Sequence, residues 1–131
     1  MSISTSHVLA QNVAYLSLGN VSVYDYEGDT AVDFLSASNA LFMATTPDGL
    51  YLYVIENGNA TVSVWEIATG TKVKTIVMGT WPGTQVIGID ISPDGQFAYV
   101  SDRWTGNVAV IQTSSNTIID NVNSGGTASG L

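Results

Sequence analysis

The 131-residue sequence has no cysteine and a single histidine, His7. Disulfide frameworks, thiolate metal sites, cysteine nucleophiles and histidine-cluster metal centres are thereby excluded, and serine–histidine chemistry would depend on one imidazole near the N-terminus. Positive charge is equally scarce: 3 lysines and arginines stand against 11 acidic residues, a formal net charge of −8. Such a surface repels phosphate backbones and argues against nucleic acid as a partner. No run approaches the roughly 18 apolar residues of a membrane-spanning helix. The opening MSISTSHVLAQ lacks the basic and apolar regions of a secretory leader. No segment has a helical period. What is present is a 45 % hydrophobic chain, enough for one packed domain. Its acidity suits an extracellular or cell-surface setting.

The chain repeats itself. Pro47-Asp48-Gly49 returns 46 residues on as Pro93-Asp94-Gly95, and Tyr53-Val54, Val62, Val64, Thr71 and Gly79 return at the same offset as Tyr99-Val100, Val108, Val110, Thr117 and Gly125. A more worn copy lies upstream, where Val21-Ser22-Val23-Tyr24 precedes Val62-Ser63-Val64-Trp65 by 41 residues and Val32 and Leu35 precede Val73 and Ile76 by the same distance. Three units result, at about 1–38, 39–79 and 80–125, with 126–131 as a tail.

Each unit reads as four short strands, because runs of β-branched and aromatic residues alternate with turn chemistry. In the second unit the strands fall at 41–45, 51–55, 61–67 and 72–77. Between the first two, Pro47 sets a turn φ, Asp48 bonds its own backbone, and Gly49 takes the positive φ that closes the hairpin. Several strands, at 51–55, 86–91, 97–100 and 108–111, are apolar at odd and even positions alike. That pattern means burial on both faces, so each sheet is sandwiched between neighbours. Four-stranded repeats of this period are the expected units of a β-propeller, an all-β ring of antiparallel blades around a channel. Ser22, Ser63 and Ala109 occupy one matching spot, where small residues let adjacent sheets approach closely.

The motif Ser92-Pro93-Asp94-Gly95-Gln96-Phe97-Ala98-Tyr99-Val100-Ser101-Asp102 with Val108-Ala109-Val110-Ile111, and its counterpart Pro47-Asp48-Gly49 with Tyr53-Val54-Ile55-Glu56 and Val62-Ser63-Val64-Trp65, resemble the YVTN β-propeller repeat family. The first unit keeps Ala14-Tyr15-Leu16 without the Pro-Asp-Gly turn. The resemblance implies a propeller and leaves activity open: surface-layer proteins, lactonase-like enzymes and quinoprotein-like dehydrogenase subunits share such blades.

Closed propellers have typically four to eight blades, so three leave two apolar faces to be covered from outside. Two copies about a two-fold axis would close a six-bladed ring; the alternative is a different propeller chain, or a longer chain of which this is a piece.

Strand parity puts the first and third hairpin turns of each unit at one rim and the remaining loops at the other, around the channel mouth. That upper rim carries Trp81, in a loop five residues longer than its counterpart, and Asp102-Arg103-Trp104, with the chain's only arginine. Two indoles beside a guanidinium suit stacking of a sugar ring or capture of a carboxylate, and so a glycan or protein partner; the alternative is that the indoles cap blade edges or are buried at a joint between subunits. Asp90 interrupts an apolar inner strand and is a channel-lining carboxylate, with Ala44 at the matching place. Asp102 and Glu56 are a candidate acid–base pair for an enzymatic reading. Asp25, Glu27 and Asp29 lack the spacing of a calcium loop, and no metal or cofactor is expected. Asn20-Val21-Ser22 and Asn59-Ala60-Thr61 are glycosylation sequons near the same rim. The lean catalytic inventory favours a non-enzymatic structural or binding module over a lactonase-like enzyme.

Overall fold

The computed structural model describes residues 13–25, 30–56, 60–79 and 84–123, with side chains described at Val21 and from residue 40 onward. Nine strands follow in order: β1 (Val13–Asp25), β2 (Thr30–Thr45), β3 (Tyr51–Glu56), β4 (Thr61–Glu66), β5 (Thr71–Val77), β6 (Val86–Ile91), β7 (Phe97–Asp102), β8 (Asn107–Gln112) and β9 (Thr117–Asn123). All pairings are antiparallel between sequence neighbours, giving a five-stranded sheet β1–β5 and a four-stranded sheet β6–β9. Among the described residues there is no helix. The all-β architecture of stacked four-stranded units is the one the repeats imply.

The hairpins form for the reasons legible in the turns. Gly49 and Gly95 adopt φ of 74° and 75°, a region where only glycine is free of strain. Asp48 Oδ1 accepts from Thr46 Oγ1 at 2.5 Å and Leu50 N at 3.0 Å, and Asp94 Oδ1 accepts from Ser92 Oγ at 2.6 Å and Gln96 N at 3.0 Å. These donors hold both carboxyls below the usual carboxylate value, the hydroxyl being the larger cause. The two turns touch: a methyl group on Gly95 would stand 3.2 Å from Pro47 Cδ.

The first unit departs from expectation. The strands expected around 14–16 and 21–24 are one strand, β1, and 41–45 is the end of β2 rather than a separate strand. With no glycine or proline between 36 and 40, the backbone of β2 stays extended. The expected loops survive only as slips of register: from Val21↔Leu35 to Gly19↔Ala40, β1 advances two residues while β2 advances five. The start of the first unit, residues 1–12, and the tail at 126–131 lie outside the described residues.

β6 lies against β2 and β3, which brings the two sheets face to face. Tyr53, Ile55, Val62 and Val64 of the first sheet pack against Ala98, Val100, Ala109 and Ile111 of the second. The alternate residues Leu52, Val54 and Trp65 face the other way, against Val21 of β1. The central strands β3 and β4 are thus buried on both faces, as their unbroken apolar pattern demands. Ala109 sits in the joint between the sheets, and Ser63 is fully buried at the matching place one unit earlier.

Candidate functional site

Among the described residues a hollow lies at each end of the joint between the sheets, and the two sort the loops into two rims. The lower, of about 340 Å³, is lined by both Pro-Asp-Gly turns and by Gln112, Thr113 and Ser114 of the β8–β9 turn. The upper, of about 220 Å³, is lined by Thr84, Asp102, Thr105, Asn107 and Asn121 over an apolar floor that includes Met78 and Val100. Strand parity in the sequence gives the same division of loops.

Asp102 organises the upper rim. At the end of β7, its Oδ1 accepts from Trp104 N at 2.9 Å, Gln85 N at 3.0 Å and Thr105 N at 3.5 Å. Arg103 N donates in turn to Gln85 O at 2.9 Å. One carboxylate therefore pins the β7–β8 loop to the segment entering β6. Gly106, at φ 70°, turns the chain back into β8. Trp104 is left 51 % exposed and Arg103 is exposed beside it. At the base of the neighbouring loop, a methyl group on Gly79 would stand 2.0 Å from Thr84 Oγ1, so that position has no room for a side chain. Trp81 and Asn59 lie outside the described residues, as do Glu27 and Asp29. Asn20 falls in β1 where the register slips.

Asp90 is exposed on β6, opposite Tyr99 of β7, and accepts from Ile91 N at 2.9 Å. Glu56 and Asp102 do not meet as a pair. Strand alternation puts Glu56 on the Val54 side of the first sheet, whereas Asp102 lines the hollow between the sheets. Glu56 is 7 % exposed and pairs with Lys72 Nζ at 3.7 Å, which in turn lies 5.4 Å from the Trp65 ring centroid. Trp65 Nε1 donates to Ser63 Oγ at 2.8 Å. Among the described residues no group of three acidic, histidine or cysteine side chains converges to hold a metal ion.

Two features escape sequence reasoning. The Tyr53 hydroxyl donates to Asn116 Oδ1 across the joint between the sheets, and burial pushes that phenol up to about 12 from 10.0. The cavity residues Asn107 and Asn121 carry no local motif. Only their repeat positions, next to Val108 and Val122, put them at the rim.

Stacked antiparallel four-stranded units with loops sorted to two rims define the β-propeller class. A family model described as lactonase, 7-bladed beta-propeller, matches residues 38–128, and the chain belongs to that family. Among solved structures, it is similar to Kuenenia stuttgartiensis hydrazine synthase with 26 % identity and a TM-score of 0.77, covering 96 % of this chain and 35 % of that one. It is also similar in fold to U3-55K, with 14 % identity and a TM-score of 0.74, covering 98 % of this chain and 40 % of that one. The chain thus spans about a third of the length of the first of these structures. No curated protein matches it.

Proposed function

We propose that the chain is a non-enzymatic propeller module of YVTN-type repeats, working outside the cell or at its surface, that presents its upper rim to a glycan or protein partner. The observation that carries this reading is the use made of the Asp102 carboxylate. One of its oxygens already accepts from the backbone of Gln85, Trp104 and Thr105, so the acid shapes the rim instead of standing ready to move a proton. What it shapes is the loop that exposes Trp104 and Arg103 between Asp102 and Thr105, two residues that line a hollow together with Thr84, Asn107 and Asn121. An aromatic face with a few fixed polar groups is the chemistry that takes up a neutral sugar ring. Asp90 lies toward the opposite end of β6, beside the Ser92–Phe97 turn, and is no part of this surface. The test is binding to immobilised neutral glycans: Trp104→Ala and Arg103→Ala each weaken it at least about tenfold, the value of one good contact, with an unchanged melting temperature. Binding that survives both substitutions overturns the reading.

Family membership favours a second reading, an enzyme that opens lactones through Asp90, Asp102 or Glu56. Acid release from a small lactone, followed at constant pH and abolished by Asp102→Asn in a folded protein, would establish it.

A further inference from the structure

The upper hollow is built from one face of the second sheet. Along β7, Ala98 and Val100 turn into the joint between the sheets, and so does Asp102 two residues further on. Along β8, the same alternation brings Ala109 and, at the start of the strand, Asn107 to that side. Val86 and Met78 pack in the same cluster and close the floor. A hollow of about 220 Å³ therefore has carbon at its base and polar groups at its edge. It is smaller than the roughly 300 Å³ at which clefts for whole ligands begin. Such a space takes a side group of a sugar rather than an entire ring.

The groups at the edge are held in fixed orientations. Asn123 stands opposite Asn107 in the β8–β9 pairing, and its Nδ2 donates to Asn107 Oδ1 at 2.9 Å. With that oxygen engaged, Asn107 offers its own Nδ2 protons to a ligand. Thr105 Oγ1 accepts from Asn107 N at 3.2 Å, which leaves the hydroxyl proton to donate. Asp102 uses Oδ1 for three backbone N–H groups, and among the described residues nothing donates to its other oxygen. Two donors and a charged acceptor thus stand over an apolar floor. We propose that the hollow is the subsite for the acetamido group of an N-acetylated hexosamine. The carbonyl oxygen of that group accepts from Asn107 Nδ2 and Thr105 Oγ1, its N–H donates to Asp102, and its methyl covers the floor of Val86, Val100 and Ala109. A sugar hydroxyl in the same place satisfies the donors but leaves the carbon surface wet. The inference rests on the glycan reading of the rim and names the class of sugar. Asn123 acts only through Asn107 and is a positioning residue.

The experiment measures binding of the full 131-residue chain to surfaces carrying matched sugars: N-acetylglucosamine against glucose, and N-acetylgalactosamine against galactose. Each pair differs only in an acetamido group where the other sugar has a hydroxyl. In at least one pair the acetylated sugar binds at least about tenfold tighter, the value of one buried methyl and one hydrogen bond. Asn107→Asp removes the Nδ2 donor within an isosteric side chain, and the preference falls below about threefold. Should that variant unfold, Asn123→Asp decides. Its carboxylate accepts from Asn107 Nδ2, turns the amide round and removes the preference with an unchanged circular dichroism spectrum, whereas Asn123→Gln keeps the donor and the preference. A merely structural Asn123 would leave the ratio of affinities where it was. Equal binding within both pairs overturns the inference, as does a preference that survives Asn107→Asp and Asn123→Asp; binding that Trp104→Ala still weakens then leaves the rim reading standing without it. A chain that binds none of the four sugars overturns that reading as well. An acetyl-lysine peptide bound as tightly as the acetylated sugars overturns the assignment to a hexosamine.

Discussion

Tyr53 commits its hydroxyl to Asn116 across the joint, and both residues carry a measurable consequence. Because burial raises the phenol's pKa from 10.0 to about 12, the folded chain keeps a proton that the unfolded chain releases. Stability from this group is complete below pH 10 and falls as pH rises to 12. Melting temperatures across that interval should fall less steeply in Tyr53→Phe than in the wild type. The turn carboxylates have the opposite sign. Asp48 and Asp94 are held below 3.8, so what they contribute is present above that pH and is lost as acid protonates them. Asp48→Asn combined with Asp94→Asn should flatten the acid limb of the melting curve. Asn116 adopts φ 53°, which asparagine tolerates better than most residues. Asn116→Ala loses both that tolerance and the acceptor, and should cost about 1–3 kcal/mol in denaturant unfolding. Asn116→Gly loses only the acceptor and should cost less.

At the scale of strands and turns, what could be read in advance was what local chemistry decides. The Pro-Asp-Gly turns close hairpins at the expected residues, and β6 runs over the expected 86–91. The unbroken apolar runs of β3 and β4 foretell burial on two faces because that requirement is written residue by residue. The first hairpin was not legible: nothing in 36–40 breaks the chain, and whether an unbroken segment loops out or pairs is settled by its neighbours. The Tyr53–Asn116 tie joins residues 63 apart and has no local signature. Asp102 was legible as a rim residue, but its task depends on the amide of Gln85, 17 residues away. Gly79 was visible only as a repeat marker; its contact with Thr84 gives it a steric role. Gly79→Ala should force the loop base apart and cost about 1–3 kcal/mol, read from chemical denaturation. Trp104→Ala removes a half-exposed ring and should change stability by no more than about 0.5 kcal/mol.

Over the whole molecule, the stacking of one sheet on the next is both the source of the core and the reason a face stays open. Val64 is sealed and Val110 is not, although sequence and strand position are the same. Each chain carries a net charge of −8, so association of two copies works against electrostatic repulsion that salt screens. Added salt would therefore favour any such association, whereas it would weaken a contact with a basic partner. Amide hydrogen exchange in β4 and β8, followed over a dilution series, addresses the open face most directly. Protection in β8 should be lower than in β4 at the dilute end of the series, because Val108 and Val110 are only half-buried where Val62 and Val64 are sealed. A β8 that is as protected as β4 in a dilute monomer would contradict an open face.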